Sequence, residues 1–468
     1  MKIKMKRAYL KNTLIIAGAI MLGFSSCKKK DDPEPTSETI TINDDGSGTG
    51  TVTWKTGNTY ILEGMVFVND GQVLTIEPGV IIKGKPGTGE DASALIVSRG
   101  AKIYAEGTAS QPIIFTAEAD NLNGNVDNLA RGLWGGVIIL GNATLNSTPG
   151  ETAVEGIPTS EPRGIYGGTD DADNSGVFKY VSIRHGGSDI GEGNEINGLT
   201  LGAVGSGTTI EYVEVIANKD DGFEFFGGAV TAKHLISAFN GDDSFDYDEG
   251  FHGKGQYWLA VQDFTNDDAG DRMGEHDGGT DPENGTPYST PKIYNVTYIG
   301  KGAGKGLKMI TLRDNSGGTY ANSIFLNQEK GIDIEMLATS DHSYARLQAG
   351  DLALKNNIFW NVAANDTANL IKIVTDAASA NAADATALAA ANTAIENYFV
   401  DNNNNVADPG LTAPDASNQF RVLPTSGGVA FSNVAAAPSG LESAGFRGAF
   451  GTVNWTEGWT LVNTYIID

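Results

Sequence analysis

The feature that most constrains this chain is a repeat. From Thr51 onward, short runs of β-branched and aromatic residues alternate with turns rich in Gly, Asn and Asp. Tyr60-Ile61-Leu62, Met65-Val66-Phe67-Val68, Val73-Leu74-Thr75-Ile76 and Val80-Ile81-Ile82 open the series. Strands this short, punctuated this often, fit a sandwich, a barrel or a solenoid. Self-similarity selects among them. Aligning residues 178–183, 210–215, 232–237 and 256–261 makes Val181, Val213, Leu235 and Leu259 equivalent, 32, 22 and 24 residues apart. A second series places Asn295, Asn322 and Asn356 at equivalent points, 27 and 34 apart. A minimum near 22 with room for insertions suits a coil of three strands, whereas a propeller blade needs a steadier ~40 residues.

Glycine makes up 61 of 468 residues, well above the usual ~7%, as frequent turns require. Stacked asparagines are expected to hydrogen-bond from coil to coil. Leu74-Thr75-Ile76-Glu77-Pro78-Gly79-Val80, and Ile103-Tyr104-Ala105-Glu106-Gly107-Thr108-Ala109 with Gln111-Pro112-Ile113-Ile114-Phe115 after it, resemble the opening coils of right-handed parallel β-helix proteins. The expected fold is all-β, a right-handed parallel β-helix (solenoid) over residues 51–364. A lateral α-helical insertion near the C-terminus is expected over 365–400, where Leu370, Ile373, Val374, Leu388, Ala391 and Ile395 fall at near-helical spacing in an Ala-rich stretch. Residues 401–468 would supply final coils and an aromatic C-terminal cap built on Phe446, Phe450, Trp455 and Trp459, since a solenoid exposes its core at each end.

The N-terminus carries a different message. Residues 1–11 hold five Lys/Arg and no acid, residues 14–24 are apolar, and Phe24-Ser25-Ser26-Cys27 follows. Cys27 is also the only cysteine, so no intrachain disulfide can form. The segment resembles a bacterial lipoprotein signal peptide (1–26), which implies a lipidated Cys27 as the mature N-terminus. Lys28-Lys29-Lys30-Asp31-Asp32 beyond it resembles the surface-export signal of Bacteroidetes lipoproteins. With the Pro-rich stretch that follows, residues 27–50 read as a lipidated flexible tether. The implied location is the outer membrane, lipid-anchored and facing the cell exterior.

Removing the leader's five basic residues takes the formal charge from −26 to −31. Such a surface repels nucleic acid and excludes it as a partner. The acids gather. Asp220-Asp221, Asp242-Asp243 and Asp267-Asp268 succeed one another at 22 and 25 residues, so coils of that length stack them on one edge. Carboxylates at that spacing repel unless a proton or cation intervenes, and hard oxygen ligands suit Ca²⁺. These six residues are the candidate Ca²⁺ ligands; no motif points to an organic cofactor.

Asn218-Lys219-Asp220-Asp221-Gly222, Gly241-Asp242-Asp243 and Phe251-His252-Gly253 resemble the ordered motifs of the polygalacturonase family. The resemblance implies Asp221, Asp242 and Asp243 as carboxylates for glycoside hydrolysis, with His252 assisting. His252, however, follows Asp243 by only nine residues, with Phe251 where the family has glycine. His185, His234 and His276 read as satisfied turn or core residues, and no pair has zinc-site spacing. The leading expectation is a non-catalytic surface lipoprotein binding a glycan, Ca²⁺ or an outer-membrane partner. The alternatives are a polysaccharide-cleaving enzyme, hydrolase or lyase, and a structural or adhesive spike.

Overall fold

The structure is a computed structural model and describes residues 37–191, 194–279 and 282–468. Cys27, the leader before it and the start of the expected tether lie outside the described residues. The repeat resolves into coils of parallel strands. One sheet of 10 strands runs from Met65–Val68 to Ile371–Val374, each strand pairing with its equivalent one coil on. A sheet of 19 strands supplies the other two sides of each coil. Its two ladders fuse in the strands Gly176–Arg184, Thr209–Ile216 and Thr231–Ala238, which run through a bend without ending. The body is a parallel β-helix with three strands per coil. No helix among the described residues is long and apolar enough to cross a membrane.

Alternation along each strand decides what faces inward. In the 10-stranded sheet Leu199, Leu201, Phe223, Phe225, Phe245 and Tyr247 enter one core with Trp258, Tyr298, Tyr320 and Phe325. Rings stack from coil to coil, Phe223 on Phe245 at 5.2 Å and Phe245 on Trp258 at 4.6 Å. Burying each such side chain contributes about 1.5–3 kcal/mol.

The bend in the 19-stranded sheet is one column: Tyr180, Tyr212, His234, Tyr257, Asn295, Asn322 and Asn356, all with φ between 49° and 60°. Asparagine tolerates that left-handed conformation. The first four residues are held there by stacking at 4.4, 4.1 and 4.8 Å. The two sequence series are therefore one, with a correction. Val181, Val213 and Leu235 are register partners, but Leu259 pairs with Ile236, so Trp258 takes the inward place. A shift of one residue exchanges the two faces of a strand, and the Trp258 indole, bonded to Ala232 O at 3.0 Å, belongs inside.

Three other expectations change. The strand Thr39–Asn43 pairs with Thr59–Glu63, so the solenoid starts inside the segment read as tether. Ile40 and Ile42 pack against the core, and the Asp44 carboxylate accepts from Gly46 N and Gly48 N and pairs with Arg163. Within 365–400, Ile371–Val374 is a strand of the 10-stranded sheet, and the helix spans Ala385–Asp401. Asp384 caps that helix, while Ala391, Ile395 and Phe399 join the core, Phe399 lying 5.6 Å from Phe359. The aromatic C-terminal segment does not cap the end. It runs back as a strap along the outside of the 19-stranded sheet, where Phe420, Phe450, Trp459 and Val462 bury Ile216, Ile236, Leu259, Ile299, Ile324 and Ile358.

The bend asparagines serve this strap. Asn295, Asn322 and Asn356 donate through Nδ2 to Phe446 O, Ala435 O and Asn433 O at 2.7–2.8 Å. Bonding along the coils falls one residue later, where Asn357 Oδ1 accepts from Ser323 N and Asn404 Oδ1 from Asn357 N.

Candidate functional site

The acidic turns sit at the entry to the 10-stranded sheet. Ala217 and Phe239 adopt φ of 57° and start the turns. A buried amide ladder then fixes them: Asn218 N donates to Asn240 Oδ1 at 2.8 Å, and Asn218 Nδ2 to Asp221 O at 2.9 Å. With Phe223 opposite Phe245, Asp220 aligns with Asp242 and Asp221 with Asp243. The first two expected pairs thus stack as the sequence implied.

The third does not. Asp246 pairs with Glu275, which brings Asp271 and Arg272 level with Asp242 and Asp243. Asp267 and Asp268 project from a loop whose carbonyls converge on a buried ammonium. Lys301 Nζ donates to Asn266 O at 2.6 Å, to Asp267 O at 3.4 Å and to Ala269 O. Lys305 pairs with the Asp267 carboxylate. Both acids line a depression of about 430 Å³ together with Asp220, Asp242 and Asp271, but neither joins a cluster of ligand oxygens.

Two triads of carboxylates emerge, Asp220–Asp221–Asp242 and Asp242–Asp243–Asp271, each with ligand oxygens within 4.8 Å of one another. Asp242 is common to both and exposed, while Asp221 and Asp243 are buried. The buried pair has structural work: Asp221 Oδ1 accepts from Asp243 N at 2.8 Å and Asp243 Oδ1 from Arg272 N at 2.5 Å, each hooking the next coil. Burial, with Asp242 and Glu195 adding repulsion, pushes Asp220 up to about 7. Burial and Asp271 raise Asp242. Asp221 and Asp243 lie well above the usual carboxylate range, through burial first and neighbouring carboxylates second.

His252 is not part of this group. It follows the far end of the strand Phe245–Asp248, with Nδ1 2.8 Å from Gly250 O and Nε2 3.2 Å from Asp171. Nine residues carry the chain across the strand instead of around a coil, so the implied set of Asp221, Asp242, Asp243 and His252 is not assembled. His185, His234 and His276 are structural: His185 Nδ1 meets Ala130 O at 2.8 Å, His234 stacks between Tyr212 and Tyr257, and His276 lies 3.9 Å from the Tyr247 ring. Trp134 is buried, its Nε1 bonded to Arg184 O.

A model of the pectate-lyase-like β-helix domain matches residues 46–421. The chain belongs to that family. No curated protein and no solved structure matches it. The pectate-lyase-like body carries further acids that sequence reasoning missed. On the outer face of the 10-stranded sheet, Glu224, Asp246 and Glu275 form one cross-strand column, and Asp248 and Asp277 stand two residues on. Burial raises Asp248 to about 7 and Asp277 to about 6, the latter despite Arg313 at 2.8 Å. The signal was present in Phe-Glu-Phe-Phe, Phe-Asp-Tyr-Asp and Gly-Glu-His-Asp, where inward residues alternate with outward acids. Arg272 bridges Asp243, Asp271 and Glu275 at 3.0–3.2 Å. Burial alone would lower its pKa, but these carboxylates raise it.

Proposed function

We propose that this pectate-lyase-like β-helix is a non-catalytic binding protein that holds Ca²⁺ in the acidic depression and presents it to a glycan or an outer-membrane partner. The observation that carries the reading is the pair of triads sharing Asp242. Each of the three carboxylates in a triad offers a ligand oxygen within 4.8 Å of the others, and Ca²⁺, which takes about six to eight oxygens, would complete its shell with water. A divalent ion would relieve the repulsion that raises Asp220 and Asp242. Against hydrolysis stand the dispersed His252 and the use of Asp221 and Asp243 as backbone acceptors. Against a lyase stands Arg272, whose guanidinium is held by Asp243, Asp271 and Glu275 at 3.0–3.2 Å instead of standing free as a base. A lipid on Cys27 with a short polar leash would hold the body at the outer-membrane surface, facing outward.

The deciding experiment is a thermal melt in EDTA and then in millimolar Ca²⁺. Specific binding predicts an upward shift that chelator reverses. An unchanged melt removes the metal reading. Release of reducing or unsaturated ends from an acidic polysaccharide, lost in Asp242→Asn, would replace binding by cleavage.

A further inference from the structure

Beyond the acidic depression, the outer face of the same 10-stranded sheet changes sign. The last coils carry a cavity of about 860 Å³ lined by Lys308, Lys330 and Lys372, with Asn327, Asn361 and Asn369 among the polar groups and Ala363, Ala364 and Val374 among the apolar ones. In a chain with 58 acids against 32 basic residues, three ammonium groups around one cavity depart from the surface average.

The sheet register puts them there. Lys308 lies directly opposite Lys330 on the neighbouring strand, and Lys372 opposite Asp333. Like charges facing each other across strands destabilise a sheet unless a counter-charge lies between them. Asp333 is that counter-charge for Lys308, at 2.8 Å. The Lys330 ammonium has no ion-pair or hydrogen-bond partner among the described residues, and the Lys372 ammonium is held only by the neutral Asn369 at 3.1 Å. Glu329, also at the cavity, is committed to Gly306 N at 2.6 Å. Two cations therefore face the cavity without an acid of their own.

We infer that this cavity binds a saccharide bearing a tetrahedral oxyanion, a sulfate or phosphate ester. Its size suits a ligand of a few sugar rings, within the range of about 300–1,000 Å³ usual for small-molecule sites. Its cations are all lysines. An ammonium binds sulfate or phosphate oxygens as a point charge, without the fixed geometry of a guanidinium fork. The asparagine amides suit hydroxyls, and the alanines the apolar face of a ring. This site is distinct from the Ca²⁺ triads and does not depend on them.

The test is isothermal titration of the full chain in detergent with four versions of one trisaccharide: sulfated, phosphorylated, carboxylated and neutral. Binding of the sulfated or phosphorylated form, weakened at least about tenfold by Lys330→Gln or Lys372→Gln and steeply by salt, is the expected result. The stronger of the two esters identifies the source of the oxyanion. Both lysines are exposed, so their replacement leaves the fold intact, and an unchanged Ca²⁺ melting shift in the same variants checks that the acidic site stands apart. No binding of either ester, equal binding of the neutral form, preference for the carboxylated form, or indifference to both substitutions would each overturn the inference.

Discussion

Asp242 is the residue on which the metal reading turns, because both triads need it. Asp242→Asn is expected to abolish the Ca²⁺-induced rise in melting temperature. In EDTA the same variant should melt no lower than the parent, since it removes a like charge from a crowded site. A retained Ca²⁺ shift would place the ion elsewhere. His252→Ala gives the contrast. It loses a contact with Asp171 at the half-exposed end of a strand, so stability should stay within about 0.5 kcal/mol and the Ca²⁺ response should be untouched. A lost response in calorimetry would return His252 to the site. Arg447 shows a different residue-scale principle: a fully buried guanidinium with no acid partner among the described residues, bonded to Asn405 Oδ1 and Val429 O at 2.7 Å. Burial lowers it to about 10, still well above neutral pH.

At the scale of elements, the strap and the helix divide the work of covering the solenoid. The helix Ala385–Asp401 covers the interior of the last coil, whose rings would otherwise meet water. The strap covers an outer face whose strands show Ile216, Ile236 and Leu259 to the wrong side. It is pinned by the bend amides, by Gln256 bonding both backbone groups of Glu442, and by the buried Glu214 carboxylate accepting from Leu461 N and Val462 N. Trp459 packs edge-on to Tyr180 and Tyr212, so it is unavailable as a sugar platform. Trp459→Ala should cost about 3–5 kcal/mol, read as a lower urea midpoint. The Ca²⁺ response should survive. A midpoint equal to the parent's would mean that the strap contributes nothing to the fold.

Across the whole molecule, the acids link stability to pH. Asp220 and Asp248 sit at about 7 and Asp277 at about 6 in the folded state, above the ordinary aspartate value of 3.8. A carboxyl raised in this way contributes stability below its unfolded pKa and loses it as pH climbs through the folded value. Metal-free protein should therefore lose melting temperature between about pH 4 and pH 7. Millimolar Ca²⁺ should flatten or reverse that decline, because the ion binds the ionised carboxylates. Calorimetry across this range is the check, and a flat metal-free profile would show that the acids are solvated instead of crowded.

The coil was legible from local pattern alone. Strand alternation and the 22-residue repeat can be satisfied by stacking parallel strands, and the same spacing brought Asp220 over Asp242 and Asp221 over Asp243. These are local properties, set by which side chain faces inward and how many residues close one turn. Where the repeat was irregular, long-range packing set the outcome. The loop before Asp271 has its own length, so Asp271 and not Asp267 or Asp268 completes the second triad. The chain from Asp243 to His252 runs along a strand, so the two never meet. The C-terminal aromatics could serve an end or a flank equally well by composition; the unburied outer faces of strands hundreds of residues away drew them to the flank. Short-range periodicity fixes a residue's face within its own strand, but which distant surface remains uncovered depends on every coil between.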